Sequence, residues 1–414
     1  MKPRRVVITG LGVVAPNGIG KEEFWQSLMA GRNTVGPITR FDPAPFSTRI
    51  ASEVKDFIPH NKIPVEHLST MDRAYQMGVS AAFQAVDDAN LNSTTMDVSR
   101  CGVYMGLAVA AVDSYERDFQ TAQIGMERVQ RNWYQGWFPS ACSGYISLLL
   151  GLRGSSQVVS TGCSSSIDAL GMAFTAIREG WEDTALAGGT EAPITPLCLN
   201  SFCSMRALST RNEDPSHASR PFDKQRDGFI LAEGGAVVVL ESLDHALARG
   251  ARIYAELEGY GTTSNAYHMT APDPCGDQTA RAFRLAIDDA QRKPEDIGVF
   301  FAHGSSTPLN ETVETVAVKK TFGPHAKNML LTGIKSMIGH TLGSAGILQI
   351  IAGTLSLVHQ KVPPTINYEV PDPSCDLDCV PNVARASVFS SVMTNTAGFS
   401  GKNSVTVLSL PSSR

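Results

Sequence analysis

Residues 160–170 read STGCSSSIDAL and place Cys163 between a glycine and three serines. The residues before it, Gln157-Val158-Val159, have the character of the end of a buried strand. Those after it carry Ile167, Leu170, Phe174 and Ile177 at steps of three, four and three, one face of a helix. Cys163 therefore falls on a strand-to-helix turn, where the first backbone N–H groups of a helix lack partners. Such a unit belongs to layered α/β architecture, and the question is whether the cysteine packs or reacts.

Working outward, strand-like and helical runs alternate along the chain. Strands are predicted at Arg5–Thr9, Gly102–Met105, Val158–Thr161, Thr184–Ala187 and Gly235–Leu240, with helices at Lys21–Ala30 and Ser164–Gly180. The pattern then begins again: strand Ile253–Gly259, helix Asp277–Ala290, strands Gly298–Ala302 and Asn328–Thr332, helix Ser344–His359. Strands Ser390–Thr396 and Ser404–Leu408 close it. This predicts helices covering largely parallel sheets, in two similar halves, residues 1–250 and 251–414, whose repeat lies in element order rather than residue identity. The irregular, aromatic-rich stretch Ala111–Gly144 reads as a lid or a partner surface.

A chain of 414 residues buries a large core, and its net charge of −5 argues against wholesale attraction to nucleic acid. No stretch approaches the roughly 20 apolar residues that span a bilayer. The basic start MKPRRVVITGLGVV is broken by Thr9 and Gly10, so it reads as a first strand rather than a signal peptide, and the protein as cytoplasmic. The eight cysteines are scattered without a C-x-x-C pair, which supports neither a zinc site nor a disulfide framework. Most are expected to be small buried hydrophobes, the default that Cys163 has to beat.

Three further segments set a polar or aromatic residue at a strand end: AHGSSTPLNETVE with His303, IKSMIGHTLGSAG with Lys335 and His340, and TNTAGFSGKN with Phe399. Ligands of open α/β sheets gather at the carboxyl ends of strands. A lone histidine there is usually a satisfied polar group. One cysteine, two histidines and a lysine in equivalent settings shift the balance toward chemistry. A Cys/His protease would use one histidine to activate the thiol and leave the other and the lysine unexplained. Gly10-Leu11-Gly12 lacks the third glycine of a dinucleotide site.

On these residues the chain resembles the β-ketoacyl synthases, thiolase-fold condensing enzymes with an α-β-α-β-α architecture. VVITGLGVVAPNG is similar to their opening strand, STGCSSS to the nucleophile elbow and RPFDKQRDGFILAEGGAVVVLE to the central signature. The two histidine loops and GFSGKN complete the match. GLAVAAVDSYERDF, TRNEDPSHASRPFD, NAYHMT and LNETVET, with Asn310 in place of a usual glycine, resemble ketosynthase-alpha subunits of type II polyketide synthases.

The resemblance implies that Cys163 accepts an acyl group from an acyl carrier protein, its thiolate prepared by the helix end without a dedicated base. Backbone N–H groups of Cys163 and Phe399 would form the oxyanion hole. His303 and His340, each neutral, would donate to the malonyl thioester oxygen during decarboxylation. Lys335 would pair with Glu314 and orient the histidine loops. Phe229 and Phe399 would wall the thioester pocket with Phe202 beside them; Ser305, Thr307 and Thr270 would meet the pantetheine arm. Ala108, at a position bulky in fatty-acid relatives, would open a longer tunnel.

No cofactor or metal is implied, phosphopantetheine arriving on the carrier. The implied partners are that carrier and a homologous chain-length-factor subunit, or a second copy of the chain. Ser400 and Lys402 depart from the closing loop's usual glycine and threonine, and Asn61–Thr70 is less basic than in many relatives that dock a carrier. Two alternatives share the motifs: a stand-alone fatty-acid elongating synthase, and a non-catalytic chain-length factor, against which Cys163 argues.

Overall fold

A computed structural model describes residues 3–92, 94–129 and 133–411. Gln130–Asn132, inside the aromatic-rich stretch, lie outside the described residues. Ten strands longer than two residues and six main helices carry the architecture. The first half runs β1 (Val6–Ala15), α1 (Arg73–Asp88), β2 (Cys101–Gly106), α2 (Ala141–Leu150), β3 (Ser156–Val159), α3 (Ser165–Arg178), β4 (Thr184–Glu191) and β5 (Gly234–Ser242). The second runs β6 (Ala255–Ser264), α4 (Asp277–Asp289), β7 (Val299–Phe301), α5 (Asn310–Phe322), β8 (Leu330–Thr332), α6 (Ala345–His359), β9 (Ser391–Gly398) and β10 (Lys402–Ser409).

The strand orders are β3-β2-β4-β5-β1 and β8-β7-β9-β10-β6, the same order twice. The halves join where β1 pairs with β6, Val6 opposite Leu257 and Ile8 opposite Ala255. Among these strands of the described residues, only β2 with β3 and β4, and β7 with β8 and β9, are parallel. The other pairings are antiparallel, so the expectation of largely parallel sheets is corrected to a mixed sheet. Parallel neighbours occur where a helical crossover separates them; β9 and β10 are joined by a three-residue turn and must reverse.

Glycines show how closely the layers approach. A Cβ at Gly10 or Gly12 on β1 would meet the α1 backbone, Ala85 O at 2.2 Å and Ala81 O at 1.9 Å. On β6, Gly259 and Gly261 face Ala286 O at 2.2 Å and Ala282 O at 2.5 Å on α4 in the same way. The amide between each glycine pair is held by an aspartate of that helix, Leu11 N–H by Asp88 (2.9 Å) and Tyr260 N–H by Asp289 (3.0 Å). The repeat is thus written in residues as well as in element order: G-x-G on the strand, and AVDDA at 85–89 matched by AIDDA at 286–290 on the helix.

α3 and α6 lie between the halves and each touches strands of both. α6 is buried on all sides from Ala345 to Leu357, which is why its sequence is apolar all round. By length and composition Leu342–His359 could cross a membrane, but 89% of it is inside this core. With α1 and α4 on the outer faces, the layers are α-β-α-β-α.

Candidate active site

Both central helices begin on a short 3₁₀ turn, Gly162–Ser164 before α3 and Leu342–Ser344 before α6. Gly162 takes φ +64°, turning the chain so that Cys163 stands at the head of α3. Asp168 in the first turn of α3 ties this elbow to the other half. It accepts from Thr161 Oγ1 (2.5 Å), Tyr260 OH (2.7 Å) and Ser404 Oγ (2.5 Å).

The thiol does not sit at a depressed pKa, as the helix end alone predicted. Burial pushes Cys163 up to about 11, against the opposing pull of the Lys335 charge and of hydrogen bonds from the Phe399 and Cys163 amides. Desolvation outweighs the helix end because Cys163 is buried.

His340 Nε2 lies 3.1 Å from Cys163 Sγ. Its Nδ1 accepts the Leu342 N–H (3.2 Å), so the neutral ring carries its proton on Nε2 and aims it at the sulfur. Its main chain is fixed against Ile230 and Ala232. The His303 ring stands edge-on to His340, centroids 5.2 Å apart. Burial, then the Lys335 charge, hold both imidazoles well below the usual histidine range, and His340 adds to the effect on His303. Both are neutral at physiological pH.

Lys335 and Glu314 form no direct ion pair, which corrects the expected one; both act on the His303 backbone instead. Glu314 accepts the N–H groups of His303 (2.7 Å) and Gly304 (3.1 Å), while Lys335 Nζ donates to the His303 carbonyl at 2.5 Å. Burial raises the Glu314 pKa and lowers that of Lys335 to about 8, each partly offset by the other's charge.

A cavity of about 540 Å³ opens over these groups. Cys163, His303, His340, Glu314, Phe399, Phe229, Phe202, Thr270, Ser305 and Thr307 all border it; Lys335 lies behind the histidine backbone. Phe229 packs edge-on to His340 (5.3 Å) and to Phe202 (5.4 Å), with Phe399 6.4 Å beyond Phe202. Ser305 and Thr307 share a hydroxyl contact of 3.0 Å, and Thr270 is exposed at the rim. Ala108 lies outside the lining of this cavity. It sits in the apolar cluster beside Cys163, its N–H held by Glu191 at 2.7 Å. Ser400 takes φ 65° in the closing loop and donates its N–H to Met269 O at 2.6 Å.

Sequence reasoning passed over four buried residues. Glu191, raised to about 7 by burial, accepts N–H groups of Ala108, Val109, Ala110 and Gly343. Gln349 receives Lys335 (3.3 Å) and donates to Ala302 O (2.6 Å). Asn395 donates to Glu314 (2.6 Å) and borders the cavity, and Asp168 braces the elbow. Only the helix-start position of Asp168 was visible beforehand. Among the described residues no group of three metal-ligating side chains occurs.

Residues 3–246 match the family model for the β-ketoacyl synthase N-terminal domain, and residues 254–369 that for the C-terminal domain. The chain is 42% identical to the tetracenomycin polyketide synthase ketoacyl synthase alpha subunit of Streptomyces glaucescens, covering 99% of this chain and 97% of that one. It is also 42% identical to the 3-oxoacyl-acyl-carrier-protein synthase 2 of Synechocystis, covering 97% of each. Among solved structures, it resembles a type II polyketide ketosynthase bound to a hexaketide in complex with its acyl-carrier protein (TM-score 0.93, 37% identity, 99% and 100% covered). It also resembles the ishigamide ketosynthase/chain length factor (TM-score 0.92, 36%, 99% and 100% covered). A cysteine elbow facing two neutral histidines, matched by both domain models in order, makes this chain a member of the β-ketoacyl synthase family.

Proposed function

We propose that the protein is the condensing ketosynthase of a type II polyketide synthase, joining malonyl units to an acyl chain held on Cys163. The observation that carries the reading is the His340 Nε2–Cys163 Sγ contact within a pocket shared with His303. In the first step the thiol attacks the carrier-bound thioester. The acyl carbon–sulfur bond to Cys163 forms, the bond to pantetheine breaks, and the Cys163 proton leaves with the departing thiol. The Cys163 and Phe399 amides hold the oxyanion, each such donor being worth about 3 kcal/mol.

In the second step malonyl carboxylate is lost as carbon dioxide and its electron pair becomes an enolate. His340 Nε2–H and an N–H of His303 hold the enolate oxygen. The enolate carbon then attacks the acyl carbon and expels Cys163 as thiolate, which takes a proton from solvent. Neutral imidazoles suit this role, because a donor that stays neutral does not surrender its proton to the enolate. No cofactor of the chain's own enters; phosphopantetheine comes with the acyl carrier protein.

The carrier and a homologous chain-length-factor subunit are the partners we assign, supported by the two solved relatives and by the alpha-subunit relative. We place the reaction in the cytoplasm with them. The Synechocystis relative keeps a second reading open, a fatty-acid synthase acting as a homodimer. Intact-mass spectrometry with an acylated carrier tests the shared chemistry: wild type gains the acyl mass at Cys163 and Cys163→Ala gains none. Labelling at another cysteine would refute the assignment. Full polyketide-forming activity of the chain alone would return the fatty-acid reading to first place.

A further inference from the structure

We infer that Glu116 is a positioning residue that sets the aromatic wall of the acyl pocket from the surface helix Val112–Ile124, without touching substrate. The inference rests on the condensing-enzyme reading above. Phe202, which closes the cavity over Phe229 and Phe399, stands on the helix Pro196–Ser204. That helix starts with Thr195 as its cap, whose Oγ1 accepts the Cys198 N–H at 3.3 Å, one turn below Phe202. The Thr195 hydroxyl then donates to Glu116 Oε1, and the same oxygen accepts the Leu197 N–H at 3.1 Å. Glu116 thus completes the cap from another element and fixes the axis along which Phe202 projects.

The surface helix is itself anchored independently of the cavity. Ser114 N–H is held by the buried Asp72 (2.9 Å), Tyr115 OH reaches the Trp137 carbonyl (2.5 Å), and Trp137 Nε1 returns to Asp118 (2.6 Å). Its outer side shows Phe119 and Ile124 to solvent, 65% and 69% exposed. A displacement of this helix therefore moves Glu116, and with it the cap of the Phe202 helix, while Cys163 and the histidines sit on separate elements. The pocket wall is tunable from the surface without disturbing the reacting groups.

Both hydrogen bonds end on one oxygen, which makes a clean test: glutamine keeps that acceptor and alanine removes it. The probes are acetyl- and octanoyl-pantetheine thioesters, and the readout is the rate of Cys163 acylation by intact mass. Glu116→Ala is expected to lower the octanoyl-to-acetyl ratio about fivefold, the size of a lost helix cap, with acetyl transfer unchanged. Glu116→Gln should keep the wild-type ratio, and Glu116→Ala added to Phe202→Ala should change the ratio of that single variant no further. An unchanged ratio in Glu116→Ala, equal slowing with both donors, or a glutamine variant as impaired as alanine would overturn the inference. A wild type acylated by neither donor would sink the condensing-enzyme reading and this inference with it; failure confined to the variants sinks only the latter.

Discussion

Replacing each histidine by alanine should separate two steps that the pair is otherwise asked to share. His340 places Nε2–H 3.1 Å from Cys163 Sγ, whereas His303 is packed against His340 and makes no hydrogen bond to the sulfur. Both are assigned to the enolate oxygen, where loss of a donor costs about 3 kcal/mol, or roughly a hundredfold in rate. Only His340 also touches the sulfur, and a hydrogen bond to the negative charge that develops there during transfer contributes about 1.5 kcal/mol, or roughly tenfold. His303→Ala should therefore lose decarboxylation about a hundredfold and keep acyl transfer; His340→Ala should lose both, the second about tenfold. Carbon dioxide release from malonyl carrier and acyl-enzyme mass from acyl carrier measure the steps apart. Equal slowing of acyl transfer in the two variants would refute the geometry, and undiminished decarboxylation in both would refute the assigned role.

The buried Lys335 sits at a pKa of about 8 against an ordinary 10.5, so between those values the unfolded chain binds more protons and stability rises with pH. Relative to Lys335→Met, the wild type should gain roughly 3 kcal/mol from pH 8 to 10.5 in urea unfolding, and a flat difference would contradict the burial argument. Gly12→Ala and Gly261→Ala, with added Cβ atoms 1.9 and 2.5 Å from helix carbonyls, should each destabilise by about 2 kcal/mol or more, and a wild-type midpoint for either would refute the packing. Ala108→Phe lies outside the cavity over the histidines but beside Cys163, so product length should shorten while acetyl transfer to Cys163 stays unchanged; products of wild-type length would remove Ala108 from the acyl path.

Much of this was legible in the chain. The elbow, both histidine loops and the alternation of strand and helix stand in local spacing, which is what periodicity reports. Sheet direction did not, because β5 beside β1 and β10 beside β6 are long-range pairings that no local pattern encodes. The Lys335–Glu314 pairing failed for a related reason. Sequence order shows a cation and an anion near one loop, but not that each meets a different end of the His303 peptide. The thiol's environment was misjudged because a helix start is visible in sequence and burial by distant elements is not.

The duplicated architecture also explains why we assign the reacting group to only one of two matching elbows. Cys163 and Gly343 are the middle residues of equivalent turns, and the residues before them, Gly162 and Leu342, both take positive φ, 64° and 46°. A side chain at 343 would meet Ala108 N at 2.6 Å and Glu191 Oε2 at 2.7 Å, so that place is already filled. The amide there is taken as well. Gly343 N–H is bound by Glu191 at 3.0 Å. The second helix start thus has neither room for a nucleophile nor a free donor for an oxyanion. What it supplies is His340, three residues before Gly343, delivered across the interface between the halves to the sulfur of the first elbow. One copy of the elbow carries the cysteine, and the other became the support that aims a proton at its sulfur.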